Sequence, residues 1–198
     1  GDVALSAQNL RNNGSVIASR DLSASTRQNL DNSGRQITAG GNLALNVQGT
    51  LNNQSGMVSA TGPAQIVANR VQNGSGRIAS KGDLNATITT LNNQKGELVA
   101  QGKLTLKGSQ LDNRTGGLVG ATKALNLDLS DIDNRGGEIS SQIDVRIKAG
   151  QLNNSQVGKL LSGGAMNLNV ANVFNQNNGL IYAGSTLRLD GGLLNNSG

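Results

Sequence analysis

Apolar and polar residues alternate in short runs along the whole chain. Each run has a period of two, which is typical of a β-strand with one buried face. The longest runs are LALNV from Leu43, LNATI from Leu84, LTLKG from Leu104, LNLDL from Leu125, IDVRI from Ile143, MNLNV from Met166 and LRLD from Leu187. Shorter segments, such as GELVA at Gly96, carry an aliphatic residue that is expected to point inward. The pattern predicts two or three short strands per repeat unit and no helix.

The strand pattern repeats at a nearly constant interval. An aliphatic residue, any residue and then Asn recur in that order, and successive Asn residues lie 20 or 21 positions apart. The chain is therefore an internal repeat, which has to be recognised before its fold can be assigned. The repeated Asn is found at Asn12, Asn32, Asn53, Asn73, Asn93, Asn113, Asn134, Asn154, Asn175 and Asn196.

A unit of about 20 residues cannot bury its own apolar face, so neighbouring units must stack. A stack of hairpins and a stack of coils would both satisfy this requirement. Hairpins would show paired turns of two kinds, whereas every unit here has the same turns in the same order, which favours a parallel β-helix. We therefore predict one all-β domain over residues 1–198, a solenoid of about ten coils and about 48 Å long at the usual strand spacing.

The recurring Asn is expected to lie at one corner of every coil. Stacked corners place each carboxamide about 4.8 Å from the next, so the ten Asn side chains can form a hydrogen-bonded ladder. Asn also tolerates the left-handed backbone that a sharp corner needs. The aliphatic residue two positions earlier, such as Leu51 or Leu91, is predicted to stack inside the same corner. A functional alternative is an amide array that binds ice or sugar.

One outward column holds apolar residues where water is expected. The column consists of the residue that follows the central aliphatic residue in each short segment, for example Val99 after Leu98 in GELVA. Its last member is Tyr182, and Phe174 and Leu180 lie near it in the sequence. An exposed apolar stripe can mark an interaction surface, although high β-propensity on an outer face would give the same pattern. The candidate partner contacts are Val99, Val119, Leu161, Phe174, Leu180 and Tyr182.

The residue types needed for most catalysis are missing. With no His and no Cys, the chain has no imidazole base, no thiol nucleophile and no Cys or His metal site, so we predict no enzyme, no metal and no cofactor. Asp112 and Asp133 occupy equivalent positions in adjacent coils and could lie about 5 Å apart. Arg114 and Arg135 follow them by two positions. A surface charge network therefore explains the same residues as well as a calcium site or a polysaccharide-cleaving site does.

A net charge of +5 raises the question of an acidic partner. A binding stripe would need cations at one position in successive coils. The column before the central aliphatic residue instead alternates in sign, reading Arg77, Glu97, Gly117, Glu138 and Lys159. With one Phe and one Tyr, the chain cannot stack bases, so nucleic acid is not expected as a partner. No apolar run is long enough to span a membrane.

The repeat units resemble a known family. GGNLALNVQGTLNNQSGMVSA, from Gly40 to Ala60, and GKLTLKGSQLDNRTGGLVGA, from Gly102 to Ala121, are similar to the filamentous haemagglutinin repeats of large exoproteins exported by two-partner secretion systems. The resemblance implies a right-handed parallel β-helix, passage through an outer-membrane transporter, and a secreted or cell-surface location on a Gram-negative bacterium. The family includes adhesins and the sticks of contact-dependent growth inhibition toxins, and the repeats do not separate the two.

We therefore expect an excerpt of a longer fibrous exoprotein, whose direct partners are further coils of the same molecule. The main functional hypothesis is a structural shaft that supports adhesion or toxin delivery. A second hypothesis is a module whose coil face binds a cell-surface receptor or a glycan. A third, weaker one is a carbohydrate-active enzyme on the same scaffold.

Overall fold

A computed structural model of the chain describes residues 1–197, which fold entirely into β-strands and turns. The strands are β1 (Val3–Ala7), β2 (Leu10–Arg11), β3 (Ser15–Ala18), β4 (Leu22–Thr26), β5 (Leu30–Asp31), β6 (Gln36–Ala39), β7 (Leu43–Asn52), β8 (Met57–Ala60), β9 (Ala64–Gln72), β10 (Arg77–Ser80), β11 (Leu84–Asn92), β12 (Glu97–Ala100), β13 (Leu104–Asp112), β14 (Leu118–Ala121), β15 (Leu125–Asp128), β16 (Asp131–Asp133), β17 (Glu138–Ser141), β18 (Val145–Asn153), β19 (Lys159–Ser162), β20 (Met166–Phe174), β21 (Leu180–Ala183), β22 (Leu187–Asp190) and β23 (Leu193–Asn195).

The strands form two parallel sheets that run the length of the molecule. The larger sheet follows the order β1-β4-β7-β9-β11-β13-β15-β18-β20-β22, with β2, β5, β16 and β23 paired beside that path. The smaller sheet follows β3-β6-β8-β10-β12-β14-β17-β19-β21. Each strand pairs with the equivalent strand of the coil before and after it, as in the register Ala64, Leu84, Leu104. The predicted parallel β-solenoid is confirmed, with about nine turns.

Each coil has three outer faces. The first face is the N-terminal part of the long strands, for example Leu84–Ile88 in β11. The second face is the C-terminal part of the same strands, for example Thr90–Asn92. In the first, second, seventh and last coils this face is a separate strand, namely β2, β5, β16 and β23. The third face is the smaller sheet. The recurring Asn follows the second face and starts the corner that leads to the third.

Alternating burial along the strands produces one continuous core. In β11, Leu84, Ala86 and Ile88 are at most 2% exposed, while the residues between them face solvent. The second and third faces add one aliphatic residue per coil each, such as Leu91 and Leu98, and both of these are buried. Because equivalent side chains stack coil on coil, each coil buries its apolar face only by contact with its neighbours.

The predicted outward position of Val119 is wrong. Val119 is completely buried and pairs in register with Leu98, whereas Gly120 pairs with Val99 on the outward side. Likewise Leu118, not Gly117, pairs with Glu97.

An extra corner residue causes this shift. Three residues, 94–96, separate Asn93 from Glu97, whereas four, 114–117, separate Asn113 from Leu118. The longer corner contains two consecutive left-handed residues, Thr115 at φ 56° and Gly116 at φ 84°. Gly117 is therefore equivalent to Gly96, and a count that starts at Gly116 assigns Leu118, Val119 and Gly120 to positions one residue too far along the repeat.

The strand predicted from Ile143 begins later than expected. In the structure, β18 starts at Val145, and Ile143 lies in the preceding turn with half of its surface exposed. The backbone carbonyl of Ile143 accepts hydrogen bonds from Gly164 N–H and from the Ser162 hydroxyl, so this residue lines the turn instead of the core.

Substitutions at adjacent positions test the corrected register. Val119→Ser should lower the free energy of unfolding by about 2 to 4 kcal/mol, because it removes a buried side chain and buries a hydroxyl. Gly120→Ser should change it by less than about 0.5 kcal/mol, since a Cβ there meets Leu118 and Val99 at ordinary distances of 3.6 and 3.7 Å. Urea denaturation of both variants measures the difference. A larger loss for Gly120→Ser than for Val119→Ser would contradict this register.

Candidate functional site

The recurring Asn residues form an uninterrupted hydrogen-bonded ladder along one corner of the solenoid. Each Nδ2 donates to the Oδ1 of the Asn in the next coil at 2.7 to 2.8 Å. All nine bonds run in the same direction along the chain, from Asn12 to Asn196. The side chains from Asn32 to Asn154 are completely buried, whereas Asn12 and Asn175 near the ends are 8% and 7% exposed.

The second N–H of the carboxamide is also satisfied in every ladder residue from Asn12 to Asn175. Asn93 Nδ2 lies 3.0 Å from the carbonyl oxygen of Leu118 in the next coil and 3.2 Å from that of Gly96 in its own coil. Within residues 1–197, every buried side-chain nitrogen or oxygen has a hydrogen-bond partner. The ladder therefore connects the second and third faces within and between coils, which explains why a buried polar residue is tolerated at this corner.

A column of glycines packs directly against the ladder. A Cβ at Gly96 would lie inside van der Waals contact of the Asn73 carbonyl oxygen and of Asn93 Oδ1. The same two kinds of clash occur at Gly76, Gly117, Gly137 and Gly179. From Gly56 onward, the Gly that precedes each strand of the third face is therefore required by the close approach of successive corners, whereas Arg35 occupies this position in the second coil.

A second polar column, which the sequence analysis did not predict, lies just outside the ladder. Asn92 Oδ1 accepts the backbone N–H of Gln94 at 3.1 Å, and Asp112 Oδ1 accepts that of Arg114 at 3.2 Å. This side chain caps the turn, and the signal for it was the doubled Asn or Asp-Asn in the repeat. Arg11, Gln72 and Phe174 occupy this position in three other coils.

In the Phe174 coil a different group caps the turn. The backbone N–H of Gln176 donates to Ser155 Oγ at 3.1 Å. Ser155 is 5% exposed and belongs to the preceding coil. The loss of one local cap is therefore compensated by a hydrogen bond between coils.

Asp112 and Asp133 lie in this outer column and are both held by arginines. Arg114 binds Asp112 through two bonds of 2.9 Å, and Arg135 binds Asp133 through bonds of 2.9 and 2.7 Å. Arg114 Nε also lies 3.6 Å from Asp133 Oδ2. Among the described residues, no group of three or more His, Cys, Asp or Glu side chains is placed to hold a metal ion. The arrangement is a surface charge network, which is one of the explanations that the sequence analysis gave for these residues.

The network keeps Asp112 ionised. Burial alone would raise the pKa of Asp112, but hydrogen bonds from Arg114 and Gln94 outweigh burial and hold that pKa below its ordinary value. The hydrogen bonds that Arg114 donates to Asp112 likewise raise the pKa of Arg114. A carboxylate stabilised in this way is a poor proton donor, which disfavours a general acid at this position.

The structure separates the six candidate partner contacts into three groups. Val99, Leu161, Leu180 and Tyr182 lie on the outer side of the third face, where Leu180 is 46% and Tyr182 56% exposed. Val119 belongs to the core, as described above. Phe174 lies in the larger sheet between Asn153 and Asn195, on the other side of the Asn corner. The expected stripe is therefore shorter than six residues and is interrupted at Gly120.

Four stretches of the chain, residues 1–55, 59–114, 99–157 and 142–198, match the model of the haemagglutinin repeat. The chain belongs to the haemagglutinin repeat family. Curated proteins and solved structures gave no match to the chain.

Membership of the haemagglutinin repeat family agrees with the solenoid and with the ladder. The family is structural, and it fits a shaft segment of a secreted or cell-surface bacterial exoprotein. In the described part of the chain, no helix has the length and apolarity needed to cross a membrane.

Removing one rung tests the ladder. Asn93→Ala should lower the free energy of unfolding by about 1 to 3 kcal/mol, because it leaves buried groups of Asn73 and Asn113 without their partners. Asn85→Ala, on the exposed side of β11, is the matched control and should have little effect. Urea denaturation gives both values. Equal midpoints for the two variants would show that the ladder does not stabilise the middle coils.

The pH dependence of stability tests the charge network. Because the pKa of Asp112 is lowered in the folded state, its contribution is complete above the ordinary value of 3.8 and is lost as the pH falls through the lower folded pKa. Asp112→Asn should therefore lower the free energy of unfolding by up to about 1 kcal/mol at pH 7 and leave it unchanged at a pH below the folded pKa of Asp112.

Denaturation of both proteins across this pH range measures the effect. Asn already occupies the same column at Asn92, so the substitution should preserve the turn cap. A stability difference that stays constant between pH 7 and pH 2 would contradict the proposed role of the Asp112 charge.

Proposed function

We propose that this chain is a structural shaft of a secreted, surface-displayed bacterial filamentous exoprotein. The observation that carries the proposal is the unbroken ladder from Asn12 to Asn196, which runs parallel to a continuous apolar core. Every coil makes the same contacts to the next, so the length of the rod is set by the number of coils. Such a rod suits a spacer that holds another region away from the cell.

The proposed setting is a longer exoprotein of a Gram-negative bacterium, exported through an outer-membrane transporter. In that setting residues 1–198 form one repeat domain, and further coils of the same molecule are its direct partners. The shaft supports either adhesion or contact-dependent toxin delivery, and haemagglutinin repeats are compatible with both. Membership of the repeat family supports this placement.

A non-catalytic role agrees with the chemistry of the surface. The paired carboxylates, Asp112 and Asp133, are engaged by Arg114 and Arg135. Their local geometry favours a role in joining two adjacent coils.

A receptor-binding role is a second candidate, favoured by the exposed apolar residues of the last coils. Leu161 and Tyr182 are register neighbours on the third face, and Leu180 lies beside Lys159. Large exposed aromatic and aliphatic side chains are typical of contact sites. Loss of saturable binding to a purified surface receptor in a Leu161→Ser, Tyr182→Ser variant would favour this role over that of a pure spacer.

A distance measurement tests the shaft. Ser25 and Asn169 lie in one outward column of the first face, seven coil steps apart along the paired strands. Spin labels at these positions should be separated by roughly 34 Å at the usual strand spacing. Deleting residues 64–103, two complete coils, should shorten the distance by about 10 Å while the protein remains folded.

An out-of-register deletion serves as the matched control. Removing residues 64–93, one and a half coils, would join Pro63, in the turn before the first face, directly to the Asn corner of another coil and should unfold the rod. A distance that does not shorten by two coil steps after deletion of residues 64–103, or complete loss of folding, would contradict a modular shaft.

A further inference from the structure

Charge is unevenly distributed along the first face of the solenoid. The two outward positions of strands β1, β4, β7, β9 and β11 hold only Ala, Ser, Asn, Gln, Val and Thr. The same positions in the following coils hold four cations, and Lys103 precedes them at the start of β13. We call this group the basic face, and its residues are Lys103, Lys107, Arg146, Lys148 and Arg188.

Three cations of the basic face have no acidic partner. Lys148 lies 3.6 Å from Asp128, and Arg188 lies 2.7 Å from Asp190. Within residues 1–197 no ion pair involves the remaining three. These three, Lys103, Lys107 and Arg146, are all exposed. The face therefore carries positive charge that its own side chains do not neutralise.

Polar amides separate the cations along the axis of the rod. Arg146 pairs in register with Asn126 on one side and Asn167 on the other, and Arg188 follows Asn167. Arg146 and Arg188 are thus two coils, or about 10 Å, apart. A shallow depression of about 510 Å³ lies over these residues and extends across five coils. Arg146 therefore lies between two amide side chains in one straight column.

This surface fits a linear polymer better than a folded protein. Its two outward columns contain no apolar side chain from Thr105 to Asp190, whereas protein interfaces need an apolar or aromatic centre. The lack of aromatic side chains in these columns also disfavours stacking of nucleic acid bases. Amide groups and guanidinium forks are suited to hydroxyl and anionic groups.

We propose that the basic face binds a linear acidic polysaccharide that lies along the axis of the solenoid. Lys103, Lys107 and Arg146 pair with anionic groups of the polymer, while Asn126 and Asn167, on either side of Arg146, bind its hydroxyl groups. The charge column examined in the sequence could not show this site, because that column belongs to the third face. The proposal goes beyond the shaft function and does not depend on it.

Titration calorimetry with defined polymers tests the proposal. The probes are polygalacturonate, which carries carboxylates, dextran sulfate, which carries sulfates, neutral dextran, and double-stranded DNA. The basic-face variant is Lys103→Gln, Lys107→Gln, Arg146→Gln. The control variant, Arg70→Gln, Lys81→Gln, Lys123→Gln, removes the same charge from exposed positions outside the basic face.

The wild-type chain should bind at least one acidic polysaccharide saturably, and neutral dextran not at all. Binding should weaken with added salt and by about tenfold or more in the basic-face variant, against less than about threefold in the control. The preferred acidic polymer shows whether carboxylate or sulfate is recognised. Circular dichroism verifies that both variants are folded.

Several results would overturn the proposal. They are no binding to either acidic polysaccharide, equal losses in the two variants, or tighter binding of DNA than of both polysaccharides. None of them would change the label distance between Ser25 and Asn169, so a failure here is distinguishable from a failure of the shaft function.

Discussion

A carboxamide can be buried inside a protein only if its oxygen and both of its N–H groups find partners. In this chain those partners belong largely to neighbouring coils. Asn93 receives a hydrogen bond from Asn73 and donates to Asn113 and to the carbonyl of Leu118. No single coil can satisfy its own Asn, so the corner is stable only within a stack. The Gly column from Gly56 onward follows from the same constraint, because successive corners there approach too closely for a Cβ.

The ladder holds the Asn side chains of successive coils in register, but the number of residues between each Asn and the next strand varies from coil to coil. The corner after Asn93 has three residues before the next strand, and the corner after Asn154 has four. Longer corners place two consecutive residues in the left-handed region, including Val157 at φ 58°, a β-branched residue for which this conformation is strained. The N–H of Val157 donates to the carbonyl of Asn177 at 3.1 Å, so stacking helps to hold even this turn.

The outer faces differ from one another because the core does not constrain them. The third face carries small residues and a few exposed apolar ones, such as Tyr182. The outer Asn corner carries the network of Arg114 and Arg135 with two aspartates. The first face changes from uncharged to basic halfway along the rod. One invariant interior thus presents several chemically distinct surfaces, which suits a shaft whose surface can acquire binding properties without a change of fold.

The sequence alone determined the fold class, the repeat length and the ladder positions, because these features recur with a fixed period. It also gave a surface charge network as one explanation of Asp112, Asp133, Arg114 and Arg135, beside a calcium or polysaccharide-cleaving site. It could not place Val119, because an inserted corner residue leaves the ladder period almost unchanged while shifting the following strand by one position. It did not reveal the turn-capping column or the basic face either. Those depend on which residues the coiling of the chain brings onto one face, and only the register between coils decides that.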